Sequence, residues 1–153
     1  MQIREIQDDE LSLASRLLWQ SFYDSEKKNT SIQGMEVFRD LTDPISLAMN
    51  RVDGSFRLFG AWKCDELVGV CGVKLPSHIL LLYVHPQRKK MKIGSTMLSF
   101  LLEQVIVGDE ATLNSSDEAV SFYCKYGFLP CGERREEQGI LYTPMKKCNC
   151  NNQ

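Results

Sequence analysis

Near the middle of the chain the spacing of apolar residues changes once, and that change fixes most of the architecture. Residues 79–84, ILLLYV, are continuously apolar, the pattern of a strand buried on both faces. From Gly94 onward, Met97, Leu98, Leu101, Leu102 and Val105 recur at helical spacing, so a helix lays one face on a sheet. Gly108 and Asp109 end it, and residues 111–114 form another short strand. Strand, helix, strand in that order is a βαβ unit, which places the strand at 79–84 in the centre of the sheet.

The flanking segments add antiparallel strands and helices around that unit. Residues 2–6 suit a short strand, and Asp8 or Asp9 is placed to cap a helix carrying Leu11, Ala14, Leu18 and Phe22, which ends near Ser25. Pro44, after Asp43, divides the following segment, residues 31–50, into two short helices. Residues 55–63 and 67–75 read as a hairpin, with Gly69 and Gly72 marking a bulge or a close neighbour. After residue 114, Ser115 and Glu118 have the spacing of a capping box, and Gly127 suits the left-handed end of the helix so opened. Residues 129–133 and 140–146 then form a closing hairpin across the polar loop RREEQG. The fold class is thus α/β: a single domain with a mixed, mostly antiparallel sheet, a central βαβ unit and flanking helices. The domain spans residues 1–147, and residues 148–153 are expected as a flexible tail.

Composition narrows the function by exclusion. Eighteen Lys and Arg against 20 Asp and Glu leave a net charge of −2, so no global field draws the chain to nucleic acid or an anionic membrane. There is no apolar leader or spanning stretch, and a cytoplasmic location is expected. Without a secretory signal, the six cysteines read as reduced, buried thiols rather than a disulfide framework. Cys148 and Cys150 could ligate a metal, but no further Cys or His cluster accompanies them, and no metal is expected. A nucleotide-triphosphate loop of the G-x-x-x-x-G-K-[ST] type occurs nowhere.

The stretch VHPQRKKMKIGSTML follows the central strand and enters the helix, where sheets of this class bind ligands. Its basic residues cluster around a helix start, which is an anion site or a solvated basic loop. Val84-His85-Pro86, the basic loop, Gly94 and the amphipathic helix resemble the cofactor motif of the GNAT superfamily of acetyl-CoA-dependent N-acetyltransferases. Asn114-Ser115-Ser116 with Ala119, Phe122-Tyr123 and Gly127-Phe128 is similar to that family's second motif, and residues 141–145, LYTPM, resemble its closing strand. The loop departs from the family pattern at two positions: Lys89 stands for Arg or Gln, and Lys92 for the first glycine.

The resemblance implies that acetyl-CoA is the co-substrate and a primary amine the acceptor, with direct transfer and no metal. It implies a cofactor site along Lys89, Lys90, Met91, Lys92, Ile93, Gly94 and Ser95 for the pyrophosphate. Leu82, Tyr83 and Val84 would face the pantetheine, with Asn114, Phe122, Tyr123 and Lys125 completing the site. Tyr123 is implied as the acid that protonates the departing thiolate; its other reading is a core aromatic. Asn114 is a pantetheine or water ligand, or a turn residue. Strand alternation puts His78, Leu80, Leu82 and Val84 on one face. His78 is then the titratable group able to act as base, or a solvent-facing strand end. Asp24, Glu26, Glu36, Glu136 and Glu137 either attract a cationic acceptor or are solvated surface carboxylates. The alternative to the enzyme is a non-catalytic acyl-CoA-binding or regulatory module with an altered cofactor loop. A homodimer is left open as the assembly.

Overall fold

The computed structural model describes residues 1–148; most of the expected tail, including Cys150, lies outside them. The chain begins with β1 (Gln2–Glu5), a 3-10 turn, α1 (Leu11–Glu26), α2 (Ile32–Thr42) and α3 (Pro44–Asn50). β2 (Phe56–Lys63), β3 (Glu66–Lys74) and β4 (His78–Val84) follow. Next come α4 (Ile93–Phe100), extended by a π-helical turn to Val105, then β5 (Glu110–Ser115) and α5 (Val120–Lys125). β6 (Leu129–Pro130), β7 (Arg135–Glu137) and β8 (Ile140–Cys148) close the chain. The main sheet runs β1-β2-β3-β4-β5-β8-β6, and β7 pairs with β8. Every pairing is antiparallel except β4 with β5, the βαβ unit read from the sequence.

Each face of the sheet carries its own core. On one face α4 and its π-helical extension pack Met97, Leu98 and Leu101 with Leu113, Phe128 and Met145. On the other, α1 to α3 pack Leu17, Leu18, Phe22, Phe38 and Leu47 against Leu58, Val70 and Leu81. Gly69 is the place where α4 comes closest, since a Cβ there would meet the Met97 thioether at 2.7 to 2.8 Å. The helix boundaries follow local chemistry. Ser31 caps α2 by accepting from Gly34 N–H at 3.1 Å, and Asp43 caps α3 by accepting from Ser46 N–H at 2.9 Å, with Pro44 in the first turn.

Several expectations are corrected. The start of α1 is organised by Gln7 and Glu10 rather than by Asp8 or Asp9: Glu10 accepts from Gln7 N–H at 2.8 Å and holds Arg4. Ser115 and Glu118 form no capping box, because the buried Ser115 hydroxyl donates to the Ser116 carbonyl at 2.8 Å. The RREEQG segment is not a loop throughout, since Arg135–Glu137 pairs with β8 and the reversal is confined to Gln138 and Gly139, both at positive φ. Of the described thiols only Cys71 is buried; Cys64, Cys124, Cys131 and Cys148 are exposed.

The central strand differs most. Gly72 pairs with Leu81 and Val73 with Ile79, so Leu80 is an extra residue, a β-bulge, and is exposed instead of buried. The bulge resets the alternation. Ile79, Leu82 and Val84 pack on the α4 side, while Leu81 and Tyr83 pack on the α1 side. His78 therefore lies on the opposite face from Leu82 and Val84, not with them.

Candidate active site

The bulge coincides with a gap in the sheet. β4 and β5 pair only at His78 with Thr112 and Ile79 with Leu113; beyond that the two strands diverge. The β5-facing edge of residues 80–84 is thus left without a strand partner, although the other edge stays paired to β3. A narrow slot of about 60 Å³ opens there, lined by both strands, Ala119 and Tyr123. Two larger cavities adjoin it, one of about 470 Å³ between the α4 start, α5 and Ser21, Ser25 and Glu26 of α1, and one of about 330 Å³ among α1, α2, α3 and the β7–β8 hairpin.

The first cavity gathers nearly all of the expected cofactor residues: Leu82, Tyr83, Val84, Lys89, Lys90, Lys92, Ile93, Gly94, Ser95, Phe122, Tyr123 and Lys125. Met91 belongs to the same loop but is exposed and not part of the wall. Lys92 is the residue before α4 and adopts φ 63°, ψ 17°, the left-handed conformation that glycine enters without strain. Lys90 is left-handed too, at φ 67°. Lysine at position 92 thus has the backbone shape that glycine would supply, at a penalty of about 1 kcal/mol.

No side chain caps α4, and the Ser95 and Thr96 hydroxyls donate instead to the Lys92 carbonyl at 3.1 and 2.7 Å. The first-turn N–H groups are left to face an anion. Gly94 is unstrained, and a Cβ there would meet nothing nearer than 3.6 Å. Its small size keeps the cavity wall open beside those N–H groups. Arg88 pairs with Glu66, and Lys89 pairs with Asp24 at 3.3 Å. Lys90, Lys92 and Lys125 also border the cavity. The donors and charge of this loop fit a pyrophosphate.

Tyr123 stands where the first cavity meets the slot. Gly127, at φ 94°, ends α5 and lets Phe128 N–H return to the Tyr123 carbonyl at 3.1 Å, while the buried Phe128 ring packs edge-on against Tyr123. This fixes the phenol. Burial pushes its ionisation up, with the Cys71 thiol adding to the effect, so the hydroxyl stays protonated and able to donate.

His78 and Asn114 sit apart from that group, on the second cavity. His78 Nδ1 lies 2.8 Å from the Thr112 hydroxyl, at the closed end of the β4–β5 pair. Burial, then the Lys74 charge, pulls its pKa down and keeps the ring neutral at pH 7. Asn114 is exposed and borders both the second cavity and the slot.

Two side chains occupy the centre of the site by bordering all three cavities: Tyr83, expected beside the pantetheine, and Ser116, which was not singled out. Glu26 borders the two large ones and is only 9% exposed. Its position has a sequence signal, because it continues the apolar stripe of Leu18 and Phe22 by one further step of four.

Comparison with known proteins identifies the family and the fold. The sequence profile of the acetyltransferase (GNAT) domain matches residues 26–148. A GCN5-related N-acetyltransferase from Rhodopseudomonas palustris superposes with a TM-score of 0.84 at 22% identity, covering 96% of this chain and 94% of that one. The PaiA N-acetyltransferase of Thermoplasma acidophilum, solved with coenzyme A, gives 0.76 at 21% identity over 96% and 98% of the two chains. The spermidine N-acetyltransferase SpeG of Vibrio cholerae gives 0.66 at 13% identity over 97% and 95%. No curated protein matches the sequence significantly. The chain belongs to the GNAT acetyltransferase domain family.

Proposed function

We propose that the protein moves an acetyl group from acetyl-CoA to a primary amine by direct transfer, in the cytoplasm and without a metal. The observation that carries this reading is the gap between β4 and β5, which joins a cavity suited to CoA with a second cavity open to an acceptor. The α4 N-terminus and its loop would hold the pyrophosphate. The unpaired backbone of Leu82 to Val84 would bind the pantetheine and direct an N–H at the thioester oxygen, where negative charge develops. Acetyl-CoA supplies the activated acyl carbon and a thiolate leaving group. The amine nitrogen bonds to that carbon, the C–S bond breaks, and Tyr123 gives its proton to the sulfur. His78 and Asn114, on the acceptor side, would position water or the amine.

Thiol release from acetyl-CoA in the presence of a panel of amines tests the reading. Amine-dependent release is expected, and Tyr123→Phe should lower kcat about 10²-fold with CoA affinity nearly unchanged. CoA binding without release for any amine would instead favour a non-catalytic acyl-CoA-binding module. Equal turnover in Tyr123→Phe would remove the residue from the mechanism.

A further inference from the structure

We infer that the acceptor is a small primary amine on a compact apolar body, and that Glu26 receives its ammonium group and takes the proton that frees it for attack. The inference rests on the acetyltransferase reading and deepens it at the same site.

The second cavity is walled mainly by apolar side chains, among them Phe22, Phe38, Leu41, Leu47, Leu80 and Leu81. Leu41 and Leu80 stand 57% and 51% exposed, so large hydrophobic surface faces the space an acceptor would fill. Glu26 and Glu137 are the carboxylates on its wall, and neither Lys nor Arg borders it. No lysine or arginine there would ion-pair with a carboxylate or phosphate on the acceptor. Glu137, on the exposed hairpin, already accepts from the Tyr142 hydroxyl at 2.6 Å. Glu26 is the buried one, at the end where the second cavity adjoins the first.

A buried carboxylate is costly unless a cation meets it. Lys89 lies near enough to affect Glu26 but pairs with Asp24. An arriving ammonium would supply the missing charge. The groups facing Glu26 are Tyr83 from β4, Ser116 after β5, Asp117 and Glu118 from the following turn, and Lys89 from the cofactor loop. Burial raises its carboxyl above the ordinary carboxylate range; Glu118 and Asp117 push the same way, while Ser116 and Lys89 pull back. That shift brings it closer to the strength a base needs at neutral pH. The protons balance: one passes from the ammonium to Glu26 and on to solvent. A second leaves the nitrogen after C–N bond formation and restores the phenol that has protonated the thiolate.

The experiment compares kcat/KM for phenethylamine and hexylamine with spermidine, glycine and an aminoglycoside, using thiol release, alongside calorimetric CoA binding. The apolar monoamines are expected to lead by at least about tenfold, the scale set by a few buried methylenes. Preference for spermidine or the aminoglycoside would overturn the acceptor class while leaving the acetyltransferase reading intact. Failure of every amine to release thiol would overturn both. Glu26→Gln, close in shape, should bind CoA, lower kcat/KM for the monoamines about 10²-fold and abolish the acidic limb of the pH profile, which His78→Ala should retain. An unaltered limb in Glu26→Gln would remove the proton role. Because folding favours the protonated carboxyl, its contribution to stability declines as pH rises from the ordinary carboxylate range through the raised value. Glu26→Gln should flatten that slope.

Discussion

At the scale of single residues, the loop before α4 separates backbone shape from residue type. Position 92 has the left-handed geometry that favours glycine but holds lysine, whereas Gly94 has no need of glycine for its own conformation. Gly94 is then valuable for what it leaves empty. Gly94→Ala should keep the melting temperature nearly unchanged, since its Cβ makes only ordinary contacts, and Gly94→Val should abolish CoA binding by filling the space beside the first-turn N–H groups. Lys92→Gly should relieve backbone strain and remove one cation, leaving affinity within a few-fold. Calorimetry with thermal unfolding checks both, and CoA affinity at the parent level in Gly94→Val would reduce the loop to a basic surface feature. The part of this cavity formed by residues 82–95 was legible because it is one stretch of sequence. Glu26 stood in the sequence as one of five carboxylates, each either drawing a cationic acceptor or solvated, because the helix was ended one residue early, near Ser25; its burial against Tyr83 and Ser116 is what singles it out.

Among the elements, apolar runs marked the strands and helical periodicity the helices, although the caps read for α1 and α5 are not the ones that form, and elements held by turn geometry were not legible. β7 consists of Arg135, Glu136 and Glu137, all exposed, so no hydrophobic pattern announces it. It forms because Gln138 and Gly139 reverse the chain and because Arg135 and Tyr142 face each other across the pair. The bulge at Leu80 was likewise hidden, since an unbroken apolar run looks the same with or without an extra residue. The β7–β8 turn touches the start of α2: Ser31 N–H donates to the Gly139 carbonyl at 3.4 Å, and a Cβ on Gly139 would strike the Ser31 hydroxyl and approach Gly34 N at 2.6 Å. Gly139→Ala should therefore lower stability by about 1–3 kcal/mol and raise KM for the amine, with the CoA dissociation constant little affected. Thermal unfolding and separate titration of the two substrates distinguish these effects; an equal loss of CoA affinity would show that the turn supports the whole sheet.

On the scale of the whole molecule, two half-cores meet at one sheet, and the two large cavities adjoin at Glu26, Tyr83 and Ser116. The order of elements pointed to one domain with flanking helices; the division into two cores comes from the packing, and the place where the cavities communicate depends on a register that ends after two residue pairs. That early ending has a consequence for traffic. A sheet pierced by a slot has two mouths, so each product can leave by the mouth through which its parent substrate entered. Free CoA should then act as a competitive inhibitor against acetyl-CoA but not against the amine, and the N-acetylated product should show the reverse. Initial-rate product-inhibition patterns would read this directly, and CoA competing with the amine would mean that both species share one doorway.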